Sequence, residues 1–230
     1  MNKIFLQCTF LVLLTTSTFA QSFWKPVFHS QNTHWADSIM ANLSEEQRIA
    51  QLFMVAAYSN KDNDHKEHIS NLIKNYKIGG LMFLQGGPVR QANLTNYYQS
   101  ISATPLMIAL DGEWGVAMRL DSVMAFPWQM TLGAIENEKL IYQMGVQIAN
   151  QYKLLGVNIN FAPVADINSN PENPIIGNRS FGESPEKVSK FSTAYMKGMQ
   201  DNGVLACAKH FPGHGDTDTD SHITLPVVRH

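Results

Sequence analysis

Beyond residue 35 the chain alternates short, continuous apolar runs with longer stretches in which apolar positions recur every three or four residues. The first kind of run predicts buried strands and the second predicts amphipathic helices. Ser44 stands before Glu45 and Glu46 as a cap for a helical pattern, and residues 51–56 follow as the first strand candidate. Residues 64–76 have helical spacing, with Ile69, Leu72, Ile73 and Tyr76 on one face, and they lead to an apolar run at 78–84 that Gly79 and Gly80 interrupt. The alternation continues with helix 88–101, strand 105–110, a long helix 137–155, strand 157–161, helix 186–202 and strand 204–208. Five strands and about five helices are thus predicted.

Continuous apolar strands separated by amphipathic helices indicate an α/β fold with a parallel sheet covered by helices. An open doubly wound sheet and a closed barrel both fit that description. The polar residues separate them: Asp111 ends the third strand run, Asp166 lies just past the fourth, and Lys209-His210 follow the fifth. A barrel collects its chemistry at the carboxyl ends of several strands. An open sheet concentrates it at one switch point, often behind a glycine-rich phosphate turn, and neither G-x-G-x-x-G nor a P-loop occurs here. The expected fold is therefore a (β/α)8 TIM-type barrel, truncated after about five strands, since eight strands normally take about 250 residues. Residues 21–230 are expected to be the front part of a longer protein, with an exposed strand edge that would make the piece poorly soluble alone.

Composition adds boundaries to this picture. The 230 residues are 44% apolar and 16% charged, which excludes a disordered chain, collagen or a coiled coil. With 17 Lys and Arg against 19 Asp and Glu, the net charge of −2 offers no broad attraction for phosphate backbones, so nucleic acid is not expected as a partner. Lys3, the apolar run 4–14 broken by Gln7, and Thr18-Phe19-Ala20 together read as a secretory signal over residues 1–20. The run is well short of the roughly 20 residues that span a bilayer. The mature protein is expected to be exported, periplasmic or secreted, with no membrane span. Cys8 leaves with the signal, so no internal disulfide is possible, and Cys207 is expected to be a small buried residue.

The densest polar segment is 209–222, with three His, three Asp and two Gly directly after an apolar strand. It predicts a loop with three possible uses. One is a solvated turn. The second is a metal site, but a calcium loop starting at Asp216 would have Ser221 in place of the turn glycine and Val227 in place of the bidentate Glu. A zinc helix is barred by Pro212 and the glycines between His210 and His214, so neither a metal nor any other cofactor is expected. The third is general acid/base catalysis. Asp220 two residues before His222 can orient the imidazole and stabilise its protonated form, and Gly213 and Gly215 would let the loop close over a substrate.

Lys209-His210-Phe211-Pro212-Gly213-His214-Gly215 followed by Asp220-Ser221-His222 resembles the signature of glycoside hydrolase family 3, in particular its bacterial β-N-acetylhexosaminidase branch. Leu52-Phe53-Met54-Val55, Gly79-Gly80-Leu81-Met82-Phe83, Asp111 with Glu113 and Arg119, Asn160 through Asp166, and Asn173-Pro174 through Arg179-Ser180-Phe181-Gly182 fall in the family's order. Together they cover nearly the whole mature chain.

The resemblance implies a barrel fold and a retaining hydrolase that removes terminal β-linked N-acetylglucosamine from cell-wall fragments or similar glycans. It implies His222 as the acid/base, Asp220 as its orienting partner, Asp111 as an acceptor for sugar hydroxyls, and Arg119, Lys209 and His210 as donors in the same subsite. Arg179 matches the subsite arginine, although Arg179 and Asp166 equally suit a buried structural ion pair. For His214 a loop-bracing hydrogen bond is the simpler expectation. Trp114, where many relatives carry glycine, is expected either to stack on a neighbouring sugar or simply to pack. The family's nucleophile lies on a later strand, in the C-terminal remainder of the polypeptide. A glycoside phosphorylase, or a non-catalytic sugar-binding module, are the competing readings.

Overall fold

A computed structural model of the chain describes residues 32–228. The export segment expected over residues 1–20 lies outside the described residues. Two compact units divide after Leu43. The described part of the first holds helix α1, His34–Ala41, whose first turn carries Asp37 bonded to the Thr33 hydroxyl at 2.9 Å.

The second unit begins with α2, Glu45–Ala50, which starts where the sequence indicates because Ser44 and Gln47 form a reciprocal capping box. The strand expected over 51–56 starts later, as β1, Met54–Tyr58. Residues 51–53 instead turn off the end of α2, with the Leu52 and Phe53 amides donating to Ile49 and Ala50 carbonyls. Then come α3, Asn63–Asn71, capped by the Asp62 side chain and continued by a π-helical turn, Leu72–Tyr76. The remaining elements are β2, Gly80–Gln85; α4, Pro88–Ile101; β3, Met107–Leu110; α5, Gln129–Gly133; α6, Glu138–Leu154; β4, Ile159–Asn160; α7, Pro185–Gln200; and β5, Leu205–Ala206.

All four strand pairings are parallel, in the sequential order β1-β2-β3-β4-β5. This is a partial (β/α) barrel. Ile108, Ala109 and Leu110 in β3 are all buried, as expected for strands covered on both sides. The core also holds Leu81, Phe83, Ile141, Ile148, Phe191 and Tyr195. Helices α6 and α7 meet through two glycines. A Cβ on Gly145 would stand 2.5 Å from the Tyr195 carbonyl oxygen, and one on Gly198 2.2 Å from that of Tyr142. Each interior glycine costs a helix about 1 kcal/mol relative to alanine, so this close approach explains their presence.

Cys207 is a correction: the thiol is exposed rather than buried. It sits just past β5, a strand whose one paired neighbour among the described residues is β4, so no further strand covers it. No helix among the described residues is long and apolar enough to cross a membrane.

Candidate active site

Parallel strands in sequential order put their carboxyl ends on one rim. Asp111 follows β3 directly, Lys209 bridges to Val164 just past β4 and β5, and His210 comes next. Segment 111–113 is held from beneath. The fully buried Asn160 side chain accepts from the Gly112 amide at 3.0 Å and donates to its carbonyl at 3.2 Å. The Tyr195 hydroxyl lies 3.2 Å from the carbonyls of both Gly112 and Glu113. Burial pushes this phenol up, so it remains a donor.

Five charged side chains then interlock, and a sixth lies beside them. Asp111 accepts from Arg119 at 2.6 Å on one oxygen and from the Lys209 ammonium at 2.5 Å on the other. Lys209 also reaches Glu113 at 2.8 Å. Glu113 in turn takes both nitrogens of the Arg179 fork, at 2.9 and 2.7 Å. The 3-10 turn Gly177–Arg179 aims that fork, and the Asn173 side chain caps the preceding segment by accepting from the Ile175 and Ile176 amides. Asp166 is the sixth, lying near Arg179 and bonded to His210 Nδ1 at 2.6 Å. Burial pushes the Glu113 carboxyl up, but the Arg179 hydrogen bonds and the charge of Lys209 outweigh it and hold the group below the usual carboxylate range.

Three carboxylates against three permanent cations leave this cluster balanced. It offers many fixed donors and acceptors and no surplus charge, an arrangement suited to a neutral polyhydroxylated ligand rather than a polyanion. A cleft of about 620 Å³ lies beside Asp166, Lys209, His210 and Phe211. Among the described residues, no group of three or more His, Cys, Asp and Glu side chains could hold a metal ion.

Of the residues expected from sequence, Asp111, Arg119, Arg179, Lys209 and His210 come together in this cluster. Asp220 and His222 also meet, with Nδ1 2.7 Å from the carboxylate, and the backbone and side-chain hydrogen bonds from His222 hold Asp220 below the usual range. That pair stands apart: His222 is 79% exposed, and no hydrogen bond or ion pair among the described residues joins it to the cluster.

The structural ion pair considered between Arg179 and Asp166 does not form. Arg179 turns to Glu113, and Asp166 to His210. Glu113 is the site carboxylate to which the sequence assigns no role, and Asp166 is read there only as a partner for Arg179. The available signal for Glu113 is its spacing of two from Asp111, which places both on one side of an extended segment. His214 braces the loop, with Nδ1 2.5 Å from the Thr217 hydroxyl. Trp114 packs face to face on Trp128, with ring centroids 4.9 Å apart.

Comparison with known proteins identifies the family. Residues 44–230 match the description "Glycosyl hydrolase family 3 N terminal domain". Beta-hexosaminidase A of Pseudoalteromonas piscicida is 41% identical over 175 residues, 70% of this chain and 29% of the relative. A family 3 beta-N-acetylglucosaminidase structure from a Paenibacillus species superposes with TM-score 0.74 at 39% identity, covering 82% of this chain and 37% of that one. The structure of beta-glucoside phosphorylase BglX bound to 2FGlc gives TM-score 0.79 at 27% identity, covering 86% and 36%. The chain thus spans well under half the length of these relatives. With its match running from residue 44 to residue 230, the chain belongs to glycosyl hydrolase family 3, within the N-terminal domain of that family.

Proposed function

We propose that the protein carrying this chain is an exported, retaining β-N-acetylglucosaminidase that removes terminal N-acetylglucosamine from cell-wall fragments or related glycans. The observation that carries this reading is the charge-balanced cluster in which Lys209 bridges Asp111 and Glu113 at 2.5 and 2.8 Å. Asp111 accepts from sugar hydroxyls, Arg119, Arg179 and Lys209 donate to them, and His210 completes the subsite. His222, oriented by Asp220, protonates the leaving oxygen. The imidazolium that gives up this proton is left as a neutral base, so the pair it forms with a nucleophilic carboxylate avoids the like-charge penalty of two carboxylates. The nucleophile comes from a strand outside this chain.

The test is hydrolysis of para-nitrophenyl N-acetyl-β-glucosaminide and of chitobiose by the full-length protein. His222→Ala is expected to lose about 10²–10⁴-fold on chitobiose and much less on the activated aryl glycoside, which needs little protonation. Equal losses on both would remove the acid assignment. The likeness to a phosphorylase keeps one second reading alive, because an imidazole that has given its proton to the leaving oxygen is left neutral and does not repel incoming phosphate as a carboxylate would. Release of sugar 1-phosphate in phosphate buffer would establish it in place of hydrolysis.

A further inference from the structure

Asp166 differs from the other carboxylates of the site. Its side chain is fully buried, and no Lys or Arg hydrogen-bonds to it among the described residues. One oxygen accepts from the His210 amide at 3.2 Å and faces His210 Nδ1 at 2.6 Å, while the other accepts from the His214 amide at 2.7 Å. On the far side of the same ring, His210 Nε2 lies 3.5 Å from Arg179. The two neighbours of the imidazole therefore have opposite characters. An ionised carboxylate can only accept, and a guanidinium can only donate. The ring proton belongs on Nδ1, and the nitrogen turned to Arg179 carries the lone pair.

We propose that Asp166 is a positioning residue that fixes His210 in the Nδ1–H tautomer, so that Nε2 accepts a hydrogen bond from a hydroxyl of the bound sugar. His210 then reads the O–H of that hydroxyl, where the family resemblance alone implies a donor. The same hydroxyl oxygen is left free to accept from Arg179 or Lys209, which no acceptor-only substituent could match. This assignment rests on the sugar-binding reading given above.

The test uses the full-length protein with aryl N-acetylglucosaminides in which single ring hydroxyls are replaced by hydrogen or by fluorine. Fluorine cannot donate. At the hydroxyl read by His210, the fluoro sugar, which loses only the donor, is expected to lower kcat/KM by about 10- to 100-fold and the deoxy sugar at least as much, and the fluoro penalty is expected to vanish in His210→Ala and in Asp166→Asn. Asp166→Asn should add less than about twofold to the loss already caused by His210→Ala. A fluoro sugar that retains activity where the deoxy sugar fails would mean that His210 donates, and a full Asp166→Asn loss on top of His210→Ala would mean that Asp166 does not act through it. Either result overturns the proposal. Nitrogen-15 NMR of histidine-labelled protein, with His210 assigned by its absence in His210→Ala, provides a readout independent of turnover and of the folding of Asp166→Asn. An unprotonated Nε2 supports the proposal and a protonated one refutes it. Failure to cleave even the unmodified aryl glycoside would count against the functional reading and leave the tautomer to be decided by this spectrum.

Discussion

Replacing Glu113 by Gln removes one negative charge from the centre of the ion cluster and almost nothing else in volume. The side chain is 1% exposed and receives two hydrogen bonds from Arg179 and one from Lys209. In Glu113→Gln, Lys209 keeps Asp111 as a partner, while Arg179 keeps at most one bond to the neutral amide oxygen, has the amide NH2 facing its other N–H, and retains the Ile175 carbonyl at 3.1 Å and the edge of His210. Breaking a buried pair while leaving its partner in place costs about 3–5 kcal/mol. At about 2 °C per kcal/mol, appropriate to a large domain, the barrel's unfolding midpoint should fall by about 6–10 °C at pH 7. The pH dependence has a defined sign. The folded carboxyl titrates below its unfolded value of about 4.3, so its contribution is complete above that pH and is lost as pH falls through the lower folded value. Differential scanning calorimetry of the full-length protein and Glu113→Gln from pH 7 to pH 3 should show the gap in midpoints closing only below about pH 4. Midpoints within 1 °C at pH 7, a threshold of about 0.5 kcal/mol, or a gap that widens on acidification, would refute the buried pairing.

Other consequences are independent of that experiment. Asn160→Leu removes both side-chain bonds to Gly112, leaving a buried amide unpaired; a loss of about 2–4 kcal/mol in a denaturant titration, with a raised KM, is expected. A Cβ on Gly215 would stand 1.8 Å from the Ile167 carbonyl oxygen, so Gly215→Ala should cost about 1–3 kcal/mol by the same titration. Arg179→Lys keeps the charge but cannot make the two parallel bonds to Glu113, and a drop of about 10-fold in kcat/KM is expected in steady-state kinetics.

The sequence is readable where local chemistry fixes an element. Helix α4 starts at Pro88, which supplies a helical φ and no unsatisfied amide, and its 88–101 bounds agree with the pattern. Ser44 and Asn137 mark helix starts for the same kind of reason, each capping with its own side chain. Strand-end placement of Asp111 and Lys209-His210 is enough to suggest the barrel, whereas the sugar-site roles of these residues, and of Arg119 and Arg179, come only with the family resemblance. What fails is whatever depends on partners far along the chain. Helix α5 has five residues, too few to show a period, and Gln129 within it serves mainly to hold the amide and carbonyl of Val164. Strand β4 is shorter than its apolar run suggests because the Asn158 and Asn160 side chains bond to the backbone of the neighbouring β3 segment. The partner of Arg179 lies 66 residues away at Glu113, and spacing alone does not choose it over Asp166. Cys207 reads as buried because a strand continues the apolar pattern up to it, whereas its exposure follows from its place at the edge of the sheet.

The most direct measurement is a crystal structure of the full-length protein with N-acetylglucosamine bound. Sugar hydroxyls within hydrogen-bonding distance of Asp111, Lys209, His210 and Arg179, with those side chains still joined through Glu113, are the predicted result. A sugar seated elsewhere, with the Asp111–Lys209–Glu113–Arg179 cluster closed and untouched, would make that cluster a structural device and contradict the account.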